Sequence, residues 1–353
     1  MIRFWPSLQL IAHVRIAKGV LRILEFKNVL PDFLLHNASD NLQNMHQILS
    51  SLILPKVLEN RTMGIIEALC KEIESWCYCH CLFLIGVNLD YWDRIQWYSH
   101  GNINRLETVR AFIQDENINS RERFNLACAY YLDVDVRNLW EKMSLGCKNY
   151  FIIQNTEYRR SIYWLFPVLS GIPLDWSQIS ETIEFDDFSV YDSRNFFYRN
   201  NCGLFQIFPK LKNAEARFRS ILNCMLSNQL NPFDLYLCLF RMEDRELYEL
   251  FNRLFFLQRL VIFRYFLSWP LQGFFLDILE RFGSKTSKMF YLELFNFILR
   301  DKFKTEWFDH DYVDLVKEMW TSISPKIKSE IEKDTIFPYL KQVLDNDGRL
   351  PIP

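Results

Sequence analysis

The chain has 353 residues, 50% of them apolar, and its 41 basic residues nearly balance its 43 acidic ones. This length can bury one large hydrophobic core or two ordinary ones, and the balanced charge excludes a general attraction to nucleic acid or anionic membranes. The 10 glycines are under half the roughly 7% of an average protein, which disfavours Gly-rich phosphate loops, tight hairpins and propeller blades and favours long helices.

The first predicted element is an amphipathic helix within residues 1–24. This segment has no acidic residue, and its basic residues are Arg3, Arg15, Lys18 and Arg22. Its apolar face holds Leu10, Val14, Ala17, Leu21 and Leu24. An acid-free amphipathic start is also typical of mitochondrial presequences, but serine, which is enriched in them, is scarce here. We therefore predict the first helix of the fold, with its apolar face inward, and keep the presequence as the alternative.

Nine cysteines, an odd number at low density, predict free thiols and a cytoplasmic or nuclear protein. They cluster in Cys77-Tyr78-Cys79-His80-Cys81, with Cys70 seven residues upstream. On a helix, Cys70, Cys77 and Cys81 share a face, and His80 lies nearby. A structural zinc site takes four tetrahedral ligands, usually from two separated pairs, and no second pair follows. We expect thiols that pack as small apolar side chains, with metal binding or a reactive or lipidated thiol as alternatives.

Two aromatic pairs follow the cysteine cluster. They are Tyr91 and Trp92, then Trp97 and Tyr98, with acidic residues beside the first pair. Tyr and Trp that are exposed together are typical contact residues of protein interfaces. These four residues are therefore candidates for binding a partner protein, with ordinary core packing as the alternative.

Two apolar stripes then predict a helix, a short turn and a second helix. The first stripe is Phe124, Cys128, Tyr131 and Leu132, and the second is Val136, Leu139, Trp140 and Met143. The interruption between them, Asp133-Val134-Asp135, offers an aspartate to cap the second helix.

This helix pair carries a resemblance. The residues Arg121-Glu122-Arg123-Phe124-Asn125-Leu126-Ala127-Cys128, followed by Leu139-Trp140-Glu141-Lys142-Met143, resemble a segment shared by uncharacterised helical proteins abundant in spider genomes. The resemblance covers residues 121–143. It implies a helical fold and no particular activity.

The region between Arg160 and Arg194 contains no Lys or Arg. Its acidic residues are Asp175, Glu181, Glu184, Asp186, Asp187 and Asp192, and the region also contains Pro167, Gly171 and Pro173. This composition predicts an acidic connector at 173–195 between an N-terminal helical half, 1–172, and a C-terminal helical half, 196–345. The last residues, 346–353, are predicted to be a frayed tail.

One acidic motif in this region resembles a catalytic motif. Asp186-Asp187-Phe188-Ser189-Val190-Tyr191-Asp192 is similar to the aspartate-rich motif of isoprenyl diphosphate synthases and terpene synthases. The resemblance implies that Asp186, Asp187 and Asp192 hold Mg²⁺ against a substrate diphosphate. That family needs a second acidic motif, and Asp309-His310-Asp311-Tyr312-Val313-Asp314 has the wrong spacing. A solvated acidic loop is the expected alternative.

Phe218, Leu254 and Phe290 lie 36 residues apart, and each is followed by an apolar pair seven residues later. A period near 36 is typical of stacked helix pairs. Because positional identity between the units is low, tandem repeats and irregular helical packing both stay open.

The segment 247–279 is the most apolar stretch, but Arg253, Arg259 and Arg264 interrupt it. Each arginine costs about 2.5–3.5 kcal/mol at the centre of a bilayer. We therefore predict a buried helix with its arginines at the ends or edges, no membrane span and a soluble protein.

Taken together, these patterns predict an all-α fold of stacked antiparallel helix pairs, either solenoid-like or irregular. No Gly-x-Gly-x-x-Gly, P-loop, His-Glu-x-x-His or Gly-x-Ser-x-Gly motif occurs, and we expect no cofactor. The function we predict is a non-enzymatic scaffold in the cytoplasm that binds another protein and no nucleic acid. The alternative is the Mg²⁺-dependent diphosphate enzyme.

Overall fold

The structure is a computed structural model that describes residues 4–23, 45, 47–81, 83–84, 94–153, 159–189, 191–192, 195–197, 202–227, 230–283, 287–303 and 309–345. These residues are mainly α-helical and include no β-strand. The described residues contain one isolated β-bridge, an antiparallel one between Trp97 and Ile103. The predicted all-α fold of packed helix pairs is confirmed.

The N-terminal helices are α1 (Leu8–Ile23), α2 (Lys56–His80), α3 (Arg105–Gln114), α4 (Ser120–Ala129), α5 (Asp133–Lys142), α6 (Leu145–Ile153), α7 (Arg159–Ser170), α8 (Trp176–Glu184) and α9 (Leu204–Ile207). The others are α10 (Ala214–Leu226), α11 (Pro232–Arg241), α12 (Asp244–Arg253), α13 (Phe256–Phe266), α14 (Phe275–Phe282), α15 (Lys288–Phe297), α16 (Tyr312–Ser322), α17 (Pro325–Ile331) and α18 (Phe337–Asp345). Short 3₁₀ helices cover Phe208–Lys210 and Leu271–Phe274, and a π-helix covers Ile298–Phe303.

The described residues pack into two compact units. The first unit takes its residues from 72–98 and 102–246, and the second from 2–71, 99–101 and 247–353. These bounds differ from the expected halves, 1–172 and 196–345. Residues 173–195, expected to connect those halves, belong to the first unit, and residues 346–353 lie outside the described part of the chain.

The helix α8 accounts for the placement of the acidic segment inside the first unit. Asp175 caps this helix, because its carboxylate accepts the backbone N–H groups of Ser177 at 2.9 Å and Gln178 at 3.1 Å. Ile179 and Ile183, four residues apart, are buried, and α8 packs against α10. The acidic residues of the segment therefore belong in part to an amphipathic helix of the core.

The helix pair predicted over 121–143 is present as α4 and α5, which pack against each other. The expected aspartate cap is wrong. The capping position is Leu132, which makes no side-chain cap bond, and Asp133 is the first helical residue and pairs with Arg137 at 3.1 Å. The turn starts at Tyr131, whose φ of 54° lets the Leu132 N–H reach the Ala127 carbonyl at 3.0 Å. The helix consequently begins one residue earlier than an aspartate cap requires.

In the second unit, Val14, Ala17 and Leu21 of the predicted apolar face of α1 are buried, as is Val20. Leu10 is half-buried, and Leu24 lies outside the described residues. The predicted buried helix in 247–279 is divided into α12, α13 and α14. Arg264 reaches the edge of α13, where it pairs with Glu293 at 3.3 Å. Among the residues described, no helix is both long enough and apolar enough to cross a lipid bilayer.

Candidate interaction surface

His80, a candidate metal ligand, is fully occupied by other contacts. Burial lowers the pKa of His80 to about 3, so the ring is neutral and carries one N–H. Nδ1 lies 2.6 Å from the Trp76 carbonyl, which can only accept, so Nδ1 donates, and Nε2 accepts from the Tyr130 hydroxyl at 2.7 Å. The ring also stacks on Trp76 with centroids 4.2 Å apart. Neither ring nitrogen has a lone pair left for a metal ion.

The candidate cysteines have unlike environments. Cys70 is buried, Cys77 is half-buried and Cys81 is exposed. Burial raises the pKa of Cys77 to about 12, so its thiol stays protonated. In the part of the chain that the structure describes, no three His, Cys, Asp or Glu side chains are grouped to hold a metal ion. The cluster in the sequence is thus not a cluster of ligands in space.

Three histidines, of which His80 and His100 are buried and His310 is half-buried, predict a loss of stability in mild acid. Burial lowers the pKa of His80 to about 3 and the pKa values of His100 and His310 to about 4. An unfolded histidine titrates near 6.5, so below that pH the unfolded state binds more protons. The stabilisation is therefore complete above pH 6.5 and is lost as pH falls towards the folded-state values.

We expect each of these histidines to remove up to about 2 kcal/mol from the free energy of unfolding between pH 7 and pH 5. Urea unfolding of the full chain at both pH values, at matched ionic strength, measures this change. Equal or greater stability at pH 5 would contradict it.

The aspartates of the diphosphate-binding string have separate partners. Asp186 is buried, and its two carboxylate oxygens accept the backbone N–H groups of Phe188 at 3.1 Å and Phe196 at 2.7 Å. Asp187 is exposed and pairs with Arg219 at 3.2 Å. The backbone of Asp192 donates to the Ser189 carbonyl at 2.8 Å. The string forms a hydrogen-bonded loop, and Asp186 closes it.

Acidic residues of the second motif, 309–314, also accept hydrogen bonds within the fold. Asp309 accepts a hydrogen bond of 2.6 Å from Gln272, and Asp311 caps α16 by accepting the Asp314 N–H at 3.1 Å. These contacts are those of a folded core and a helix cap. They give the magnesium hypothesis no support.

Of the four aromatic residues predicted to bind a partner, the structure describes two. Tyr91 and Trp92 lie outside the described residues. Tyr98 is half-buried and its ring packs 5.7 Å from that of Phe233. Trp97, also half-buried, lines an open cleft of about 320 Å³. The other lining residues are Gln96, Asn104, Glu107, Arg110, Ala111 and Gln114.

Exposed apolar side chains are frequent on α6 and α7 and in the segment that follows them. In α6, whose sequence is Leu-Gly-Cys-Lys-Asn-Tyr-Phe-Ile-Ile, Phe151 is the buried residue. Of the 25 large apolar side chains that are exposed among the described residues, 10 fall between 145 and 191. They are Leu145, Tyr150, Ile152, Ile153, Phe166, Leu169, Ile172, Phe185, Phe188 and Tyr191. Sequence reasoning missed this surface, although apolar residues on every side of α6 were a visible signal.

We call Ile152, Ile153, Phe166, Leu169 and Ile172 the α6–α7 face. The helix α7 packs on α4, α5 and α6, and its Trp164 donates to the Cys128 carbonyl of α4 at 3.1 Å. The segment after α7 is held because Arg137 of α5 donates to the Ile172 carbonyl at 2.6 Å. The exposed side chains are thus carried by helices that are fixed to the core.

Cys147 lies in the first turn of α6. Its backbone N–H donates to the Ser144 hydroxyl at 3.4 Å, and the Ser120 hydroxyl lies 3.9 Å from its sulfur. Hydrogen bonds from the side chains of Ser144, Arg121 and Ser120 lower the pKa of this thiol. Arg121 also lies over the ring of Tyr150, 4.3 Å from its centroid.

At the level of fold, these features define an all-helical protein with a group of exposed apolar side chains on and after α6 and α7. No protein family model, no curated protein sequence and no solved structure matches the chain.

Proposed function

We propose that this protein is a non-enzymatic helical scaffold that binds another protein through the α6–α7 face. The observation that carries the proposal is the concentration of exposed Ile, Leu and Phe side chains on two adjacent, well-packed helices. Large exposed apolar patches on a folded protein usually mark an interaction site.

Burial of the α6–α7 face favours association with a partner. Removing one such side chain from water contributes about 1.5–3 kcal/mol, and the α6–α7 face has five of them. Association costs roughly 4–15 kcal/mol in lost freedom, so several side chains of the face must be buried together for binding to occur. An apolar helix face of the partner is the matching surface, because it can lie along α6 and α7.

The face can be tested with a charged variant and a matched control. The test variant is Ile153→Glu with Phe166→Glu, which places two carboxylates on side chains that are 77% and 68% exposed. The control is Leu257→Glu with Tyr339→Glu, whose side chains are 70% and 52% exposed and lie in the second unit. Both variants are expected to fold, since none of the four positions is buried.

We expect the tagged full chain to recover one near-stoichiometric partner from its own cells. The control should keep this partner, and the test variant should lose it. With the purified partner, calorimetry should show at least a tenfold weaker Kd for the test variant. Equal binding by both variants would contradict the assignment of the face. Concentration-dependent dimerisation of the chain itself, abolished only by the test variant, would make a second copy the occupant.

A cytoplasmic location is also part of this proposal, and the nine cysteines, all of which are free thiols, support it. No cofactor and no nucleic acid are invoked. The diphosphate enzyme stays an alternative from sequence alone, since no contact of its aspartates favours it.

A further inference from the structure

Three charged side chains meet in the interior of the first unit. They are Glu72 on α2, Arg105 at the start of α3 and Asp234 in the first turn of α11, and each is at most 8% exposed. The Arg105 Nη2 lies 3.7 Å from a carboxylate oxygen of Glu72, and its Nε lies 3.7 Å from one of Asp234. Two carboxylates therefore share one guanidinium, and the cluster has a surplus negative charge whenever both are ionised.

The carboxylates of Glu72 and Asp234 differ in the number of hydrogen bonds that they accept. Glu72 accepts the backbone N–H of Ile103 at 3.2 Å and the side-chain amide of Asn231 at 2.8 Å. Its carboxylate thus has two hydrogen-bond donors in addition to the ion pair with Arg105. Asp234 has the ion pair with Arg105, at a distance too long for a hydrogen bond. Arg105 itself has two buried nitrogen atoms, Nε and Nη2, without a hydrogen-bond acceptor in the described part of the chain. Asp234 is thus the member of the cluster that most readily takes up a proton.

We propose that Asp234 is a proton-dependent latch that fastens α11 to α2 and α3. When Asp234 is protonated, Arg105 and Glu72 form a neutral pair and α11 packs against an uncharged carboxyl group. When Asp234 loses its proton, one uncompensated charge is buried, and the packing around α11 loosens. The latch is a regulatory property of the core and is independent of the α6–α7 face.

The electrostatic environment agrees with this geometry. Burial raises the pKa of Asp234 to about 6, with Arg105 opposing the shift and Glu72 adding to it. Burial opposes the charge of Arg105, yet Glu72 and Asp234 together hold its pKa above the usual value. The other titratable groups facing Asp234 are Cys79 on α2, Tyr98 before α3, Tyr130 after α4 and Cys238 on α11. Burial raises the pKa of all four, so they stay neutral between pH 5 and pH 7.

The sign of the effect follows from linkage. The pKa of Asp234 is about 6 in the folded protein and 3.8 as its ordinary value, so the folded state binds the proton more tightly. The stabilisation is complete below pH 4 and is lost as pH rises through 6. From pH 5 to pH 7, the contribution of Asp234 to the folding equilibrium constant falls about tenfold. This direction is opposite to that of the buried histidines, so the two effects can be separated by substituting Asp234 alone.

The test uses the full chain and the variant Asp234→Asn, which mimics the protonated state at every pH. Hydrogen exchange of the slow amides of α11 is followed by mass spectrometry at pH 5 and pH 7. We expect the protection of the wild type, divided by that of Asp234→Asn at the same pH, to fall about tenfold from pH 5 to pH 7. The variant Asp187→Asn, which neutralises an exposed carboxylate, is the matched control and should follow the wild type.

A second measurement keeps the proposal falsifiable if Asp234→Asn is disturbed for other reasons. The side-chain carboxyl carbon of Asp234, identified by its absence in that variant, is titrated by NMR in the wild type and in Glu72→Gln. We expect a wild-type midpoint near 6 and a lower midpoint in Glu72→Gln, because Arg105 then pairs with Asp234 alone. A wild-type midpoint in the ordinary range of an aspartate, or a protection ratio that is the same at both pH values, overturns the latch.

Discussion

Replacing Arg105 with methionine is expected to lower the free energy of unfolding by about 3–5 kcal/mol, which is the usual cost of removing one partner from a buried ion pair. The substitution leaves Glu72 and Asp234 buried without their cation. Urea unfolding at pH 7, followed by tryptophan fluorescence, measures the loss. Arg110→Met is the matched control on the same helix, because Arg110 pairs with Glu107 at the surface, where both side chains are more than 40% exposed. A surface pair contributes about 0–1 kcal/mol, so a similar loss in both variants would contradict the role assigned to the buried cluster.

A rescue variant separates charge from packing. Adding Glu72→Gln and Asp234→Asn to Arg105→Met removes all three charges while keeping side chains of similar size. The triple variant no longer buries an uncompensated charge, so we expect it to recover part of the stability that Arg105→Met loses. Failure to recover would show that the Arg105 side chain acts through its packing rather than its charge.

The second large effect is expected at Trp164. This side chain is fully buried in α7, and its indole N–H donates to the Cys128 carbonyl at 3.1 Å. Trp164→Ala leaves a cavity and removes one of the hydrogen bonds to the Cys128 carbonyl, which together cost about 3–5 kcal/mol. Phe166→Ala is the control two residues further along the helix, with a side chain that is 68% exposed, and it should change stability by about 0.5 kcal/mol or less. Thermal unfolding of both variants gives the comparison, and equal destabilisation would refute the burial pattern of α7.

Phe166→Ala is informative in another way. Its side chain belongs to the α6–α7 face, so a variant that unfolds like the wild type and yet binds the partner more weakly would assign Phe166 to recognition alone. Trp164→Ala should weaken both properties, because it removes the support of the helix that carries the face.

The helices are the part of the molecule that the sequence predicts well. The pair α4 and α5 is visible because its apolar residues recur at helical spacing within one short segment. In the acidic region, the charge pattern masks the periodicity, so the four-residue spacing of Ile179 and Ile183 in α8 does not stand out. Local pattern therefore identifies an element most reliably where its apolar face and its polar face are both clear.

Contacts between residues far apart in the chain are the part of the structure that the sequence does not predict. Glu72 and Asn231 are separated by 159 residues, and nothing near either residue indicates that they meet. The same holds for His80, whose partner Tyr130 lies 50 residues away. A histidine beside three cysteines suggested a ligand, whereas its contacts with Trp76 and Tyr130 make it a core residue. Which polar groups become buried depends on tertiary packing, and this is why the cluster could not be anticipated.

The environment of Cys147 makes its thiol a site whose chemical reactivity depends on whether α6 is covered. The thiolate is the form that alkylating reagents attack, and the hydrogen bonds from Ser144, Arg121 and Ser120 increase its share at neutral pH. Cys77, whose pKa is raised to about 12, is protected from the same reagent. Because Cys147 lies in the first turn of α6, its rate of alkylation counts the molecules whose α6 is uncovered. Occupancy of this helix can thus be followed in unmodified protein by measuring alkylation at Cys147 separately from that at the exposed Cys81.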